Sequence, residues 1–439
     1  MSSQYAAKTS IFIPEKQRTL KYFYPRSHRQ SCISAQNMIY FRSKKDCCSG
    51  SDRMNTKSYV RFFTQRTPLF NTKYCLEKEQ KLKIVYFGGS VTAGYGASQP
   101  DRFSWRAQVG EWFEHHFPHA EITNINRAVG ESGTYLGLFR LNRDVIAHKP
   151  DLLFIEYSIN DLYYGSSYEN ASMQFETIVR EIRTALPCCD IVTVLVTDYR
   201  RAADALLGKL HVQAQAHEDI AKAYEISSVR VGLSLMALLG ENYLAQWNHY
   251  FKDIVHPTDL GHAEYYNCME AFLEAELRGT ACPAEKTAHA LPAVQNVRLF
   301  DADRKTILPS EALLQASERK GGKGFVFKNE YFGLHDYYGY FYSEHSNENP
   351  ILVLDFCGTD LALQSNVSTG VVKPESLWCF EVSVDGGEWK KRNFKTHNPT
   401  MIAENLPSGP HTVAFRPLFE TFEETDVFKV GILFTRNRG

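Results

Sequence analysis

The sequence has no Cys-x-x-Cys pair among its 10 cysteines, which removes support for a zinc ribbon or a thioredoxin-type redox site. Two adjacent pairs, Cys47-Cys48 and Cys188-Cys189, do not alter this, and scattered cysteines in a long chain predict free thiols in a reducing compartment. Long apolar runs are missing too. None is long enough to span a bilayer. At the N-terminus the longest is Ile11-Phe12-Ile13, too short for the core of a secretory signal, so a cytoplasmic location is expected. An excess of one charge is also absent: the formal net charge of −1 argues against a general nucleic-acid binder. His115-His116 and His249 lack ligand-like spacing, and no metal is expected. Gly94-Tyr95-Gly96-Ala97 is only a fragment of a dinucleotide fingerprint, so its glycines read as loop formers. No internal repeat is evident.

What is present is the composition of a globular protein, 44% hydrophobic and 23% charged over 439 residues, with length for two domains. Residues 1–80 are basic, poor in acids and without sustained period, and read as a flexible extension. Met38 and Met54 are alternative starts, and a transit peptide is the less favoured reading. From residue 81 to about 280 the texture changes. Apolar runs at 83–87, 121–125, 152–157, 191–197 and 229–233 have strand length, and continuous runs suit strands covered on both faces. Between them lie helical patterns at 105–117, 136–148, 172–186 and 203–224, then a last helix at 259–277, with Ser104 and Thr258 as caps. Such alternation predicts an α/β domain with a doubly wound parallel sheet.

A second shift falls at 280–293. Beyond it, from 293 to 439, short runs such as 325–327, 351–356, 378–384, 412–415 and 428–434 alternate with turn signals, Asp385-Gly386-Gly387 among them. This predicts an all-β sandwich. The chain holds 24 Tyr and 28 Phe, and their default place is the core. Trp389, Trp378 and the Tyr337, Tyr338, Tyr340, Tyr342 run could also meet sugar rings.

The chemistry turns on Gly88-Gly89-Ser90, where the first strand stops abruptly. In a doubly wound sheet, the C-terminal ends of the strands are where ligands sit. A serine hydroxyl needs a base, most often a histidine held by a carboxylate. Lys252-Asp253-Ile254-Val255-His256 supplies Asp253 and His256 in a loop before the last helix. Asn160 ends the 152–157 strand region, where an amide could face an oxyanion. Taken singly, these residues suit a turn serine, a helix-start pair and a strand-end asparagine. His262 reads as a packed histidine.

Taken together and in order, the stretches Gly-Gly-Ser-Val-Thr, Asn-Arg-Ala-Val-Gly-Glu-Ser-Gly, Tyr-Ser-Ile-Asn-Asp and Asp-Ile-Val-His-Pro resemble the four motif blocks of the SGNH (GDSL-type) hydrolases over about 81–280. The resemblance implies a flavodoxin-like three-layer α/β/α fold, a catalytic triad of Ser90, Asp253 and His256, and an oxyanion hole from the Ser90 amide, Gly130 and the Asn160 side chain. The nucleophile block departs from the usual Gly-Asp-Ser. In the second block the family's glycine position falls on Glu131, with Gly130 just before it. The implied activity is a serine esterase without cofactor, acting on acyl, most simply O-acetyl, esters of a small molecule or glycan. An O-acyltransferase on a glycan and an inactive carbohydrate-binding protein are the alternatives. Oligomeric state is left open.

Overall fold

The computed structural model describes residues 56–278, 280–293, 304–307, 322–331, 338–344, 347–367, 379–393, 399–421 and 427–436, which fall in one compact unit. Expectations about Met38, Met54, Cys47-Cys48, Tyr337 and Trp378 lie outside the described residues.

The first sheet runs through β1 (Phe63–Thr64), β2 (Lys81–Gly88), β3 (Glu121–Asn126), β4 (Leu152–Glu156), β5 (Asp190–Val194) and β6 (Ser227–Val229), in the order β1-β6-β5-β4-β2-β3. From β2 to β6 the pairings are parallel. Counted alone, these parallel strands have the flavodoxin-like order 2-1-3-4-5. The order reverses between β2 and β4, and there the crevice opens for a site.

Alternation along β2 shows why both faces are covered. Ile84 and Tyr86 join a core with Trp105, Val109 and Phe113 of the Trp105–His116 helix and with Tyr265, Met269 and Phe272 of the Asp259–Leu277 helix. Val85 and Phe87 point the other way, onto Leu138, Phe175, Ile178 and Ile220 of the Thr134–Asp144, Tyr168–Ala185 and Val212–Ala223 helices. Ser104 and Thr258 cap their helices as expected: the Ala107 and Gly261 amides donate to their hydroxyls.

Three expectations need correction. Residues 56–80, read as part of a flexible extension, form short helices and strand β1, and Tyr59, Phe62, Phe63, Leu69 and Leu76 are buried in the core of the α/β part. Elements this short, such as the two residues of β1, show no period. The run 229–233 is not a strand: β6 ends at Val229 and Val231–Leu239 is a helix buried on nearly every side. An apolar run of that length does not separate the two. The pattern 203–224 breaks into Ala202–Leu206 and Val212–Ala223 around Gly208, which sits at φ 75°.

The C-terminal part consists of antiparallel sheets. β7 (Arg304–Ile307), β8 (Val326–Tyr331), β9 (Tyr338–Glu344), β11 (Asp360–Val367), β14 (Thr400–Ala403) and β16 (Val427–Arg436) make one sheet; β10 (Leu352–Cys357), β12 (Cys379–Val384), β13 (Lys390–Asn393) and β15 (Pro410–Pro417) make the other. Phe341, Leu361 and Phe428 from the first share one core with Leu354, Phe380 and Phe415 from the second, a sandwich. Asp385 and Gly386 both take positive φ in the β12–β13 turn. Tyr340 is not displayed to solvent. With Ala362 it is buried against Val129, Leu136 and Phe139 of the α/β part. Trp389 is half-buried under the Arg416 guanidinium, 4.2 Å above its ring.

Candidate active site

Strand β2 ends where its last residue, Gly88, and the next, Gly89, are closely approached by neighbouring groups. A β-carbon on Gly88 would lie 2.6 Å from the Glu156 carbonyl oxygen and 2.6 Å from Thr92 Oγ1. One on Gly89 would lie 2.3 Å from Asn160 Nδ2, so a larger residue there would have to displace the Asn160 amide. Gly89 is the N-cap of the Ser90–Ala93 helix, and its amide donates to the Glu156 carbonyl at 3.1 Å. Ser90, the first helical residue, thus has an amide without an intrahelical acceptor. The glycines answer a close approach of two strand ends, and the result is a serine presented at the sheet edge.

The Asp253–His256 loop reaches that edge across a small β-bridge, Phe251 to Pro257. It is pinned by the Trp247 indole N–H donating to the Asp253 carbonyl at 2.7 Å, and by the Tyr199 amide donating to the Ile254 carbonyl at 2.8 Å. Asp253 Oδ1 accepts from the amides of Val255 and His256, both at 2.9 Å. Its other oxygen lies 2.6 Å from His256 Nδ1, and His256 Nε2 lies 2.8 Å from Ser90 Oγ. The three sequence-predicted residues therefore form one hydrogen-bonded line. Burial pulls the Asp253 pKa upward, but the His256 hydrogen bond and charge and the two backbone donors outweigh it and hold the carboxyl at about 2. The line is open to solvent at its acid end, where the Asp253 side chain is 44% exposed and that of His256 21%, while Ser90 is buried.

Asn160, in the Ser158–Tyr163 helix after β4, is buried and donates one amide hydrogen to the Ser132 carbonyl at 2.7 Å. Its second amide hydrogen remains for another acceptor. Asp161 beside it accepts from the Thr134 amide and hydroxyl, each at 2.8 Å, and lies 2.9 Å from His217 Nε2. This ties the asparagine block to the glycine block. In that second block Glu131 takes φ 58°, the left-handed conformation a glycine would supply. Gly130, the assigned donor, needs no such freedom: a β-carbon there would meet only the Tyr95 ring, at 3.5 Å. Among the described residues its amide has no hydrogen-bond partner.

Sequence reasoning passed over two groups at this edge. Glu156, at the end of β4, is buried and accepts from Thr92 Oγ1 at 2.9 Å, while its Oε1 has no hydrogen-bond partner among the described residues. Desolvation, against the Thr92 and backbone hydrogen bonds, pushes its pKa up to about 8. The other is Tyr95, whose ring centroid lies 5.7 Å from that of His256. Cys75, Glu79 and Asp151 form a cluster of metal-ligating types away from this edge. The Lys286 ammonium sits there, 2.9 Å from Glu79 and 3.2 Å from Asp151.

Comparison with known proteins agrees with this architecture. Residues 86–264 match the model of the GDSL-like lipase/acylhydrolase family. Among solved structures, the chain is similar to a two-domain esterase (CEX) active on acetylated mannans, with a TM-score of 0.65 and 21% identity, over 87% of this chain and 99% of that one. The same esterase co-crystallised with mannopentaose gives 0.65 and 20%, over 87% and 98%. Axe2, an acetylxylan esterase from Geobacillus stearothermophilus, gives 0.37 and 19%, over 46% and 97%. No curated protein matches the chain. Among the described residues no helix is long and apolar enough to cross a membrane. With its strand order, its glycine-bounded serine and this match, the chain carries a GDSL-like lipase/acylhydrolase domain at residues 86–264, and it is an ester hydrolase.

Proposed function

We propose that the chain hydrolyses acetyl esters on a carbohydrate through a Ser90–His256–Asp253 triad and an acyl-enzyme. The observation that carries the chemistry is the unbroken hydrogen-bonded line from Ser90 Oγ through His256 to Asp253. Ser90 Oγ attacks the ester carbonyl as its proton passes to His256 Nε2. Asp253, ionised, accepts from Nδ1–H and so fixes the tautomer that leaves Nε2 as base. Charge developing on the carbonyl oxygen meets the Ser90 amide at the helix start, the Gly130 amide and the second Asn160 amide hydrogen. His256 then gives its proton to the leaving alcohol, and water repeats the sequence on the acyl-serine.

The substrate class rests on two supports. The Asp253–His256 end of the triad is open to solvent, which suits an acetyl group projecting from a large chain. The similar two-domain structure is that of an esterase active on acetylated mannans.

The test is acetate release from acetylated mannan and xylan by the full chain, with a fluorophosphonate probe in parallel. Wild type is expected to release acetate and to be labelled at Ser90; Ser90→Ala is expected to do neither while keeping its melting temperature. Labelling at a different serine would falsify the nucleophile assignment. A clear preference for long-chain acyl esters over acetylated glycans would remove the substrate assignment.

A further inference from the structure

We propose that Tyr95 is a specificity-determining residue that packs on the alcohol part of the ester, and that His262 is the positioning residue that holds it there. The inference rests on the triad and glycan reading above and deepens it. In that mechanism His256 delivers a proton to the leaving oxygen, so a group packed against the imidazole borders the departing alcohol. Tyr95 is such a group. Its ring stands 5.7 Å from the His256 ring, centroid to centroid, with the planes at 36°. It also lies over Gly130, 3.5 Å from where a β-carbon would sit on that residue. The side chain therefore bridges the base and the oxyanion side, yet Tyr95 remains 38% exposed. An exposed aromatic face in this place fits the C–H face of a sugar ring.

The backbone around Tyr95 is built to keep the ring in place. Its amide donates to the Ser90 carbonyl at 3.0 Å, closing the turn after the nucleophile helix. Gly96, at φ 89°, presses against the His256–Pro257 peptide, where a β-carbon would come 2.1 Å from the Pro257 carbonyl oxygen. Ser98 fastens the far side of the loop, its amide 2.7 Å and its hydroxyl 2.6 Å from the Asp259 carboxylate. The Tyr95 carbonyl faces His262 Nε2 at 3.0 Å. His262 is fully buried and accepts from the Trp105 amide through Nδ1 at 3.4 Å, so Nε2 carries the proton and donates. Burial, only partly opposed by the Tyr95 carbonyl, lowers its pKa to about 4 and keeps it neutral at pH 7. The loop glycines and the helix histidine, which the sequence offered without a role, thus converge on one exposed ring.

The experiment compares steady-state kinetics of the full chain on an acetylated manno-oligosaccharide and on ethyl acetate, whose alcohol is too small to cover the ring. Tyr95→Ala is expected to raise KM for the oligosaccharide about ten-fold with little change in kcat, and to raise that for ethyl acetate by much less. Tyr95→Phe, which keeps the ring, should match wild type. His262→Asn, too short to reach the Tyr95 carbonyl, should reproduce the KM rise, and His262→Gln should restore it. Equal losses on both substrates, or an unchanged oligosaccharide KM in Tyr95→Ala, overturn the Tyr95 role. An effect of His262→Asn on melting temperature alone, with KM unmoved, overturns the positioning role. If wild type cleaves ethyl acetate but releases nothing from the oligosaccharide, the glycan reading fails, and this inference with it. That outcome is read from wild type alone and so is distinct from any variant effect.

Discussion

Asp253 joins two demands in one carboxylate. One oxygen takes two backbone amides and fixes the loop; the other faces His256 Nδ1. Asp253→Asn keeps the shape but presents an amide N–H where an acceptor is needed, so the imidazole turns to the wrong tautomer. Turnover should fall by about 10⁴-fold, the size of the same exchange in a well-studied serine protease. Near-normal turnover would mean that another acid orients His256. The stability consequence has a definite sign. The folded-state pKa, about 2, lies below the ordinary value, so the stabilisation is complete above about pH 4 and is lost as pH falls through about 2. Urea midpoints of wild type and Asp253→Asn should differ at pH 5 and converge between pH 4 and pH 2. The residues of the proposed triad were legible in the sequence because that chemistry calls for a serine, a histidine and a carboxylate in particular motif blocks. Tyr95 and His262 were not, because their link runs through a backbone carbonyl that any residue at position 95 would supply. Glu131 was half-legible: its place in the block was visible, but its φ of 58° was not.

At the scale of elements, the ends of β2 and β4 are packed as one unit. The Glu156 carbonyl occupies the space a Gly88 side chain would need, and the Glu156 carboxyl takes the Thr92 hydroxyl from the Ser90–Ala93 helix. A raised carboxyl pKa, about 8, means that the folded state holds a proton the unfolded chain releases near pH 4. Glu156 therefore contributes its full stabilisation below the ordinary carboxylate range and loses it as pH rises towards 8. Glu156→Gln replaces the acid by a neutral group of the same shape. Its melting temperature relative to wild type should rise steadily from pH 4.5 to pH 8; a difference that is flat over this range would show the carboxyl to be ionised. The long helix capped by Thr258 was readable for a related reason: the sequence carried its physics locally. The last helix spans Asp259–Leu277 as expected, since the Thr258 cap fixes its start. The all-apolar Val231–Leu239 helix carried no such mark, and neither did the short elements of 56–80, whose order comes from burial against distant residues.

At the scale of the molecule, the two parts meet beside the proposed oxyanion loop. Val129, adjacent to Gly130, is buried with Leu136 and Phe139 against Tyr340 and Ala362 of the sandwich, with Met401 at the margin. The connecting segment is itself fastened to the α/β part: His289 Nε2 lies 2.8 Å from Asp190, the Thr287 amide donates to Asn71 at 2.8 Å, and Arg180 donates to the Pro292 carbonyl at 2.7 Å. A shortened chain should therefore end after residue 293, so that this strap is kept. If the sandwich served only to gather glycan, that shortened enzyme would cleave ethyl acetate like the whole chain. The packing argues for more: removing the sandwich bares Val129, Leu136 and Phe139 and frees the loop that carries Gly130. We expect kcat on ethyl acetate to drop at least about ten-fold, the loss of about 1.4 kcal/mol of transition-state stabilisation, with Ser90 still labelled by fluorophosphonate. Phe139→Ala in the full chain should lower kcat in the same direction and destabilise the protein by about 3–5 kcal/mol, as truncation of a buried ring does. If both enzymes turn over ethyl acetate at the wild-type rate, the sandwich does not support the oxyanion loop, and its contribution is confined to the glycan.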